Sequence, residues 1–111
     1  MQRADTQTIS IDAPRDVVLD LVADPPELPS WEGELRIRVR VSREHGTADF
    51  LAAGLPAGVE IGAFSRVVPN GRGCDYSFTQ FLPGDMPDAE VDVRRAVVTD
   101  ELDAVRRICT A

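Results

Sequence analysis

Along this chain, apolar residues recur every second position in several stretches and at helical spacing in two others. Residues 6 to 11, TQTISI, put Ile9 and Ile11 on one face, the period of a half-buried strand. Pro14 follows Asp12 and Ala13. This predicts a helix start, because the ring pre-sets φ and the carboxylate can accept orphan N–H groups. Val17, Val18, Leu21 and Val22 then fall at i, i+1, i+4 and i+5, as one inward stripe, and Pro25 with Pro26 stops the helix by Asp24.

Downstream, the proline-rich connector PPELPSWEGE (25 to 34) is expected to make one short helical turn that positions Trp31, the only tryptophan. LRIRVRV (35 to 41) has two clear faces, with Leu35, Ile37, Val39 and Val41 inward and Arg36, Arg38 and Arg40 on the other side. SREHG (42 to 46) has turn composition, and TADFLAA (47 to 53) returns as a strand before AGLPAG (53 to 58) breaks the pattern. VEIGAFSRVV (59 to 68) and CDYSFTQFL (74 to 82) flank PNGRG, a hairpin signal with a loop of five residues. Cys74, Tyr76, Phe78, Gln80 and Leu82 share the face expected to point inward. A long helix follows to Cys109, lined by Val91, Val98, Leu102, Val105 and Cys109. Asp85 or Asp88 is its candidate cap, and Arg106 and Arg107 complement the dipole at its far end. The order is α+β, with the last helix burying its stripe against the sheet and a groove between them.

Composition narrows the partners. Leu, Ile, Val and Phe make up 30 of 111 residues, enough for one core in one domain spanning the chain. Net charge is −7, from 12 basic and 19 acidic side chains, which argues against nucleic acid and anionic membranes as partners. The apolar runs are short and the first 20 residues do not read as a signal peptide, so the expectation is a cytoplasmic protein. Cys74 and Cys109 read as packing residues.

Catalytic signals are sparse. His45, the only histidine, sits in a turn beside Glu44 and reads as solvated; one His and two distant Cys leave no metal shell, and no cofactor is called for. Polar groups on apolar inward faces are better candidates, because a guest molecule can supply the partner they need. Tyr76 and Gln80, flanking Phe78, meet that description. Arg66 shares a face with Phe64 and Val68; inward it would polarise a guest, outward it would join the arginine stripe. For that stripe, cross-strand pairing with Asp49 or Glu60 is expected ahead of self-association through Asp88, Glu90 and Asp92.

The opening TISIDAPRDVVLDLVADPPELPSW resembles the start of the START-like or SRPBCC superfamily of polyketide cyclases, dehydrases and lipid-transfer proteins, where an "I-x-A-P-x-x-V-x-x-L-x-x-D-P-x-x-x-P-x-W" run is common. RVVPNGRGCDYSFTQFLPGDMPDAEVDVRRAVVTDELDAVRRI looks like the last hairpin and closing helix of small bacterial members. The resemblance implies a helix-grip, Bet v 1-like fold: a curved antiparallel sheet around a long C-terminal helix. It also implies a cavity for a small apolar molecule, aromatic or polyketide-like, with cyclase or dehydratase activity in bacterial secondary metabolism or simple carriage as outcomes; the other reading is a dimeric interaction module in which the missing hairpin has closed the cavity. On that reading Tyr76 is the proton donor, Arg66 the anion stabiliser, Gln80 an orienting hydrogen bond and Trp31 a stacking wall, with Phe64, Phe78 and Leu102 completing the apolar lining. Such proteins usually carry one more hairpin than the five strand runs found here, which leaves a strand edge through which a homodimer is expected.

Overall fold

A computed structural model describes residues 1–23, 36–53 and 62–111, and of 36–38 and 52–53 the backbone alone. The order is β1 (Arg3–Ile11), α1 (Arg15–Ala23), β2 (Arg36–Ser42), β3 (Thr47–Ala53), β4 (Gly62–Asn70), β5 (Gly73–Leu82) and α2 (Asp88–Cys109). The strands form one antiparallel sheet in the order β1-β5-β4-β3-β2. Each expected strand run is represented, with β1 starting at Arg3 rather than Thr6 and β4 running on to Asn70 rather than Val68, while positions 35 and 59–61 of the expected runs lie outside the described residues. The expected turn before Trp31, Trp31 itself, Glu60 and residues 54–58 of the AGLPAG break lie outside the described residues.

Both helices cover the same face. Ile11, Ala48, Val67, Cys74 and Tyr76 from the sheet form one buried cluster with Val18, Leu19 and Val22 of α1 and Val98 and Leu102 of α2. This inner face was expected on β5 and on α2; on α1 the stripe is rotated, with Leu19 buried and Val17 exposed. The rotation follows from α1 touching β2, β3 and β4 on one side and α2 on another, so two flanks of a short helix are covered. Cys74 is buried and Cys109 packs at the cluster's margin, as expected of small apolar residues. Neither Asp85 nor Asp88 caps α2: Pro87 holds the cap position and makes no side-chain bond, and its carbonyl receives the Glu90 and Val91 N–H groups.

Two turns set the register. The β4–β5 loop is two residues long, Gly71 and Arg72, rather than five, because the strands stay paired out to Asn70 opposite Gly73. Gly71 has φ +59 and no described non-glycine residue has positive φ, so a positive angle at the first central position alone marks a primed hairpin turn of the II′ kind. Pro69 is tolerated within β4 because β3 pairing ends at Arg66. In the β2–β3 turn Gly46, φ +68, presses its Cα side against β4, and its carbonyl accepts the Val67 N–H at 2.7 Å.

Charged side chains mark both outer strands. Asp5 on β1 pairs with Arg95 of α2 at 3.0 Å, and Arg40 on β2 pairs with Asp49 directly opposite at 2.9 Å, the ordinary cross-strand arrangement expected for the stripe.

Gly71 and Gly46, both at positive φ, separate strain from collision. Gly71→Ala meets open space and is expected to cost about 1–2 kcal/mol from backbone strain. Gly46→Ala adds a Cβ 2.5 Å from the Val67 carbonyl oxygen and is expected to cost clearly more, as read by urea denaturation. Equal losses would contradict the close approach.

Candidate functional site

The inner face is sealed at its ends and incompletely covered between them. Along β5, Cys74 and Tyr76 are buried, Phe78 and Gln80 are half-buried, and Leu82 is buried again. Cross-strand register extends this interruption sideways: Gln80 stands opposite Asp5 on β1 and Ala63 on β4, and Ala63 opposite Phe50, which faces Val39. All of these are half-buried. The Phe50 and Phe78 rings meet with centroids 5.9 Å apart at a tilt of 43°. An apolar wall with one aromatic pair thus lies between the α1 end, packed around Ile11 and Cys74, and the buried Leu82 at the far end of β5.

Two polar atoms in this stretch lack partners among the described residues. Gln80 Nε2 and Asp5 Oδ2 are both buried, and neither has a hydrogen bond there. Such a group costs about 1–3 kcal/mol unless something supplies the missing bond. The neighbouring Gln7 is saturated by contrast: its amide donates to the Arg95 carbonyl at 2.9 Å and accepts the Thr99 hydroxyl at 2.7 Å, clasping α2 to β1. A polar crevice of about 290 Å³ lies against this clasp, lined by Gln7, Asp92, Arg95, Ala96 and Thr99.

Tyr76 has a different environment. It is 2% exposed, within the core cluster, and Ser65 is its hydrogen-bonding partner. The Ser65 hydroxyl in turn donates to the Ala48 carbonyl at 2.7 Å. Burial, with Glu101 adding a smaller push, drives the phenol pKa up to about 12, against the lowering effect of Ser65. A phenol so placed stays neutral and is bonded within the core.

The remaining sequence candidates divide by strand parity. Phe78 and Gln80 line the half-covered stretch, and Leu102 lies in the cluster beside it. Arg66 and Phe64 do not join them. Ser65 and Val67 are the buried residues of β4, so Arg66 and Phe64 project from the outer face, where Phe64 is 39% exposed and stacks edge-on with Phe81 at 5.7 Å. The roles expected of Arg66 as anion stabiliser and of Phe64 as lining are corrected on that ground: alternation at period two makes both sides of one strand segment unable to reach one guest. His45 is exposed in its turn, as expected. Asp5, Phe50 and Arg95 were not among the sequence candidates. Continuing the alternation of Ile11 and Ile9 back through Gln7 would have put Asp5 on the inner face, but two polar residues there read as a strand end.

Comparison with solved structures decides the architecture. The chain superposes on the crystal structure of Ara h 8.0201 with a TM-score of 0.71, over 99% of either chain, at 10% sequence identity. The chain has a Bet v 1-like helix-grip fold. An uncharacterized protein from Bacillus thuringiensis matches this helix-grip chain at TM-score 0.71, 14% identity, over 98% of this chain and 100% of that one. XoxI from Bacillus cereus matches at TM-score 0.69, 14% identity, over 96% and 95%. No family model matches the chain, and no curated protein matches its sequence. Among the described residues no helix is long and apolar enough to cross a membrane.

Because Tyr76 is the only tyrosine, its titration can be followed directly by tyrosinate absorbance. The folded protein is expected to titrate near 12 and the unfolded chain near 10. The unfolded state then releases its proton first, so stability present below pH 10 declines as pH rises toward 12, by up to about 3 kcal/mol. Titration of the folded protein near 10 would contradict the enclosed phenol.

Proposed function

We propose that the protein binds a small apolar molecule, aromatic or polyketide-like and bearing a carbonyl, against the half-covered stretch of the inner face, and carries it without chemical turnover. One observation supports this most directly: the buried, unpartnered Gln80 Nε2 stands beside the Phe50–Phe78 ring pair. An amide donor on an apolar wall is the arrangement that binds a flat guest by area and orients it by one hydrogen bond. The Bet v 1-like fold shared with Ara h 8.0201 suggests a ligand-binding frame and supports the same reading. Trp31, outside the described residues, remains a candidate stacking wall for that guest.

Carriage is preferred to cyclase or dehydratase chemistry because of what the catalytic reading needs. It needs an acid and an anion stabiliser at the guest. Tyr76, the candidate acid, is enclosed and bonded to Ser65, and Arg66 projects from the opposite face. Holding a guest needs neither.

Two probes of equal shape test the role of Gln80. Acetylnaphthalene presents a ketone where ethylnaphthalene presents only hydrocarbon. Titration calorimetry is expected to find the ketone bound about fivefold tighter, the worth of one neutral hydrogen bond of about 1 kcal/mol. Gln80→Leu is expected to erase that ratio while the hydrocarbon still binds; Arg66→Ala, on the other face, is expected to leave both affinities unchanged. If neither probe binds, or if the ratio persists in Gln80→Leu, the reading fails.

A further inference from the structure

Gln80 does not stand alone. In the β1–β5 register its direct partner is Asp5, and direct antiparallel partners hold their Cβ atoms about 4.5–5.5 Å apart on the same face. The Asp5 carboxylate is held from one side, where Arg95 Nε approaches Oδ1 at 3.0 Å, and its other oxygen, Oδ2, is the second buried atom without a hydrogen bond among the described residues. The Asp5 side chain is 17% exposed, and the Arg95 contact fixes its orientation. A donor and an acceptor, both unsatisfied, are therefore presented side by side by two neighbouring strands.

We propose that Asp5 and Gln80 act as a paired recognition element selecting neutral guests that carry an N–H next to a carbonyl, amides above all, and rejecting carboxylates. The guest carbonyl accepts from Gln80 Nε2 and the guest N–H donates to Asp5 Oδ2, so each buried atom gains the bond it lacks. A ketone satisfies one of the two and leaves the carboxylate oxygen bare. A guest carboxylate offers no donor and brings a second negative charge against Asp5, which Arg95 already neutralises only from its far side. This assignment rests on the binding site described above and specifies the class of molecule it takes.

Three naphthalene derivatives test it on the wild-type protein: naphthamide, acetylnaphthalene and naphthoate, compared by titration calorimetry at neutral pH. The expected order is naphthamide about five- to tenfold tighter than acetylnaphthalene, with naphthoate at least about tenfold weaker than the ketone, since bonds to charged groups are the stronger class. Asp5→Asn, nearly isosteric, is expected to bring naphthoate to within about threefold of the ketone and to shrink the amide advantage. Equal affinity for amide and ketone in the wild type, with the Gln80-dependent ketone preference intact, would overturn the paired element while leaving the binding site standing; it would mean that Asp5 Oδ2 takes no part in holding the guest. Naphthoate binding as well as naphthamide would overturn it likewise. Loss of all three ligands would overturn the binding site and this assignment together. Because the ligand series is read on the unaltered chain, a folding defect in Asp5→Asn would not remove the test.

Discussion

Nine consecutive cross-strand pairs hold β1 against β5, from Arg3 opposite Leu82 to Ile11 opposite Cys74. Everything on the inner face follows from that register. It joins Ile11 to Cys74 and Ile9 to Tyr76 at one end, where the two helices close over the sheet, and Gln7 to Phe78 and Asp5 to Gln80 farther along, where α2 is held by the Gln7 amide and the Asp5–Arg95 ion pair. A slip of one residue would turn every one of these side chains to the other face and leave α2 without its apolar partner. The hairpin turn at Gly71 and the Gln7 amide, bonded twice to α2, oppose such a slip from the sheet end and from the helix side.

The same strand therefore serves two purposes. Its first half, with Tyr76 at the centre, is core: the phenol bonds to Ser65, Ser65 to the Ala48 carbonyl, and the chain of polar groups is closed. Its second half is left with polar atoms that nothing within the described structure completes. Native interiors rarely carry such atoms without a reason. That they are paired across two strands, beside two phenylalanine rings, makes a guest molecule the economical account of them.

The outer face solves a different problem. Thr6 with Thr79, Thr8 with Ser77, and Ser10 with Asp75 bond across the β1–β5 seam, so the solvated side of the sheet satisfies itself strand to strand. Arg66 belongs to this surface, as does the Arg40–Asp49 pair. A guanidinium there stabilises the sheet's solvent face and plays no part in what the inner face holds.

Alternation and helical spacing were enough to locate five strands, two helices and the inward face of β5, because period two and period 3.6 are properties of local chain geometry that burial imprints on neighbouring residues. They also predicted Gln80 as a polar residue on an apolar face. They were silent on β4, where Phe64, Val67 and Val68 offered apolar residues to both sides, and only packing against Ala48 and the helices decided that Ser65 and Val67 turn inward and Arg66 outward. Nor could spacing distinguish Tyr76 from Gln80: both lie on one face of one strand, and the difference between a sealed phenol and an unpartnered amide lies in what the helices cover. Asp5 was hidden for the same reason. Its partner in the register lies 75 positions away, and a contact over that distance exists only once the sheet has formed.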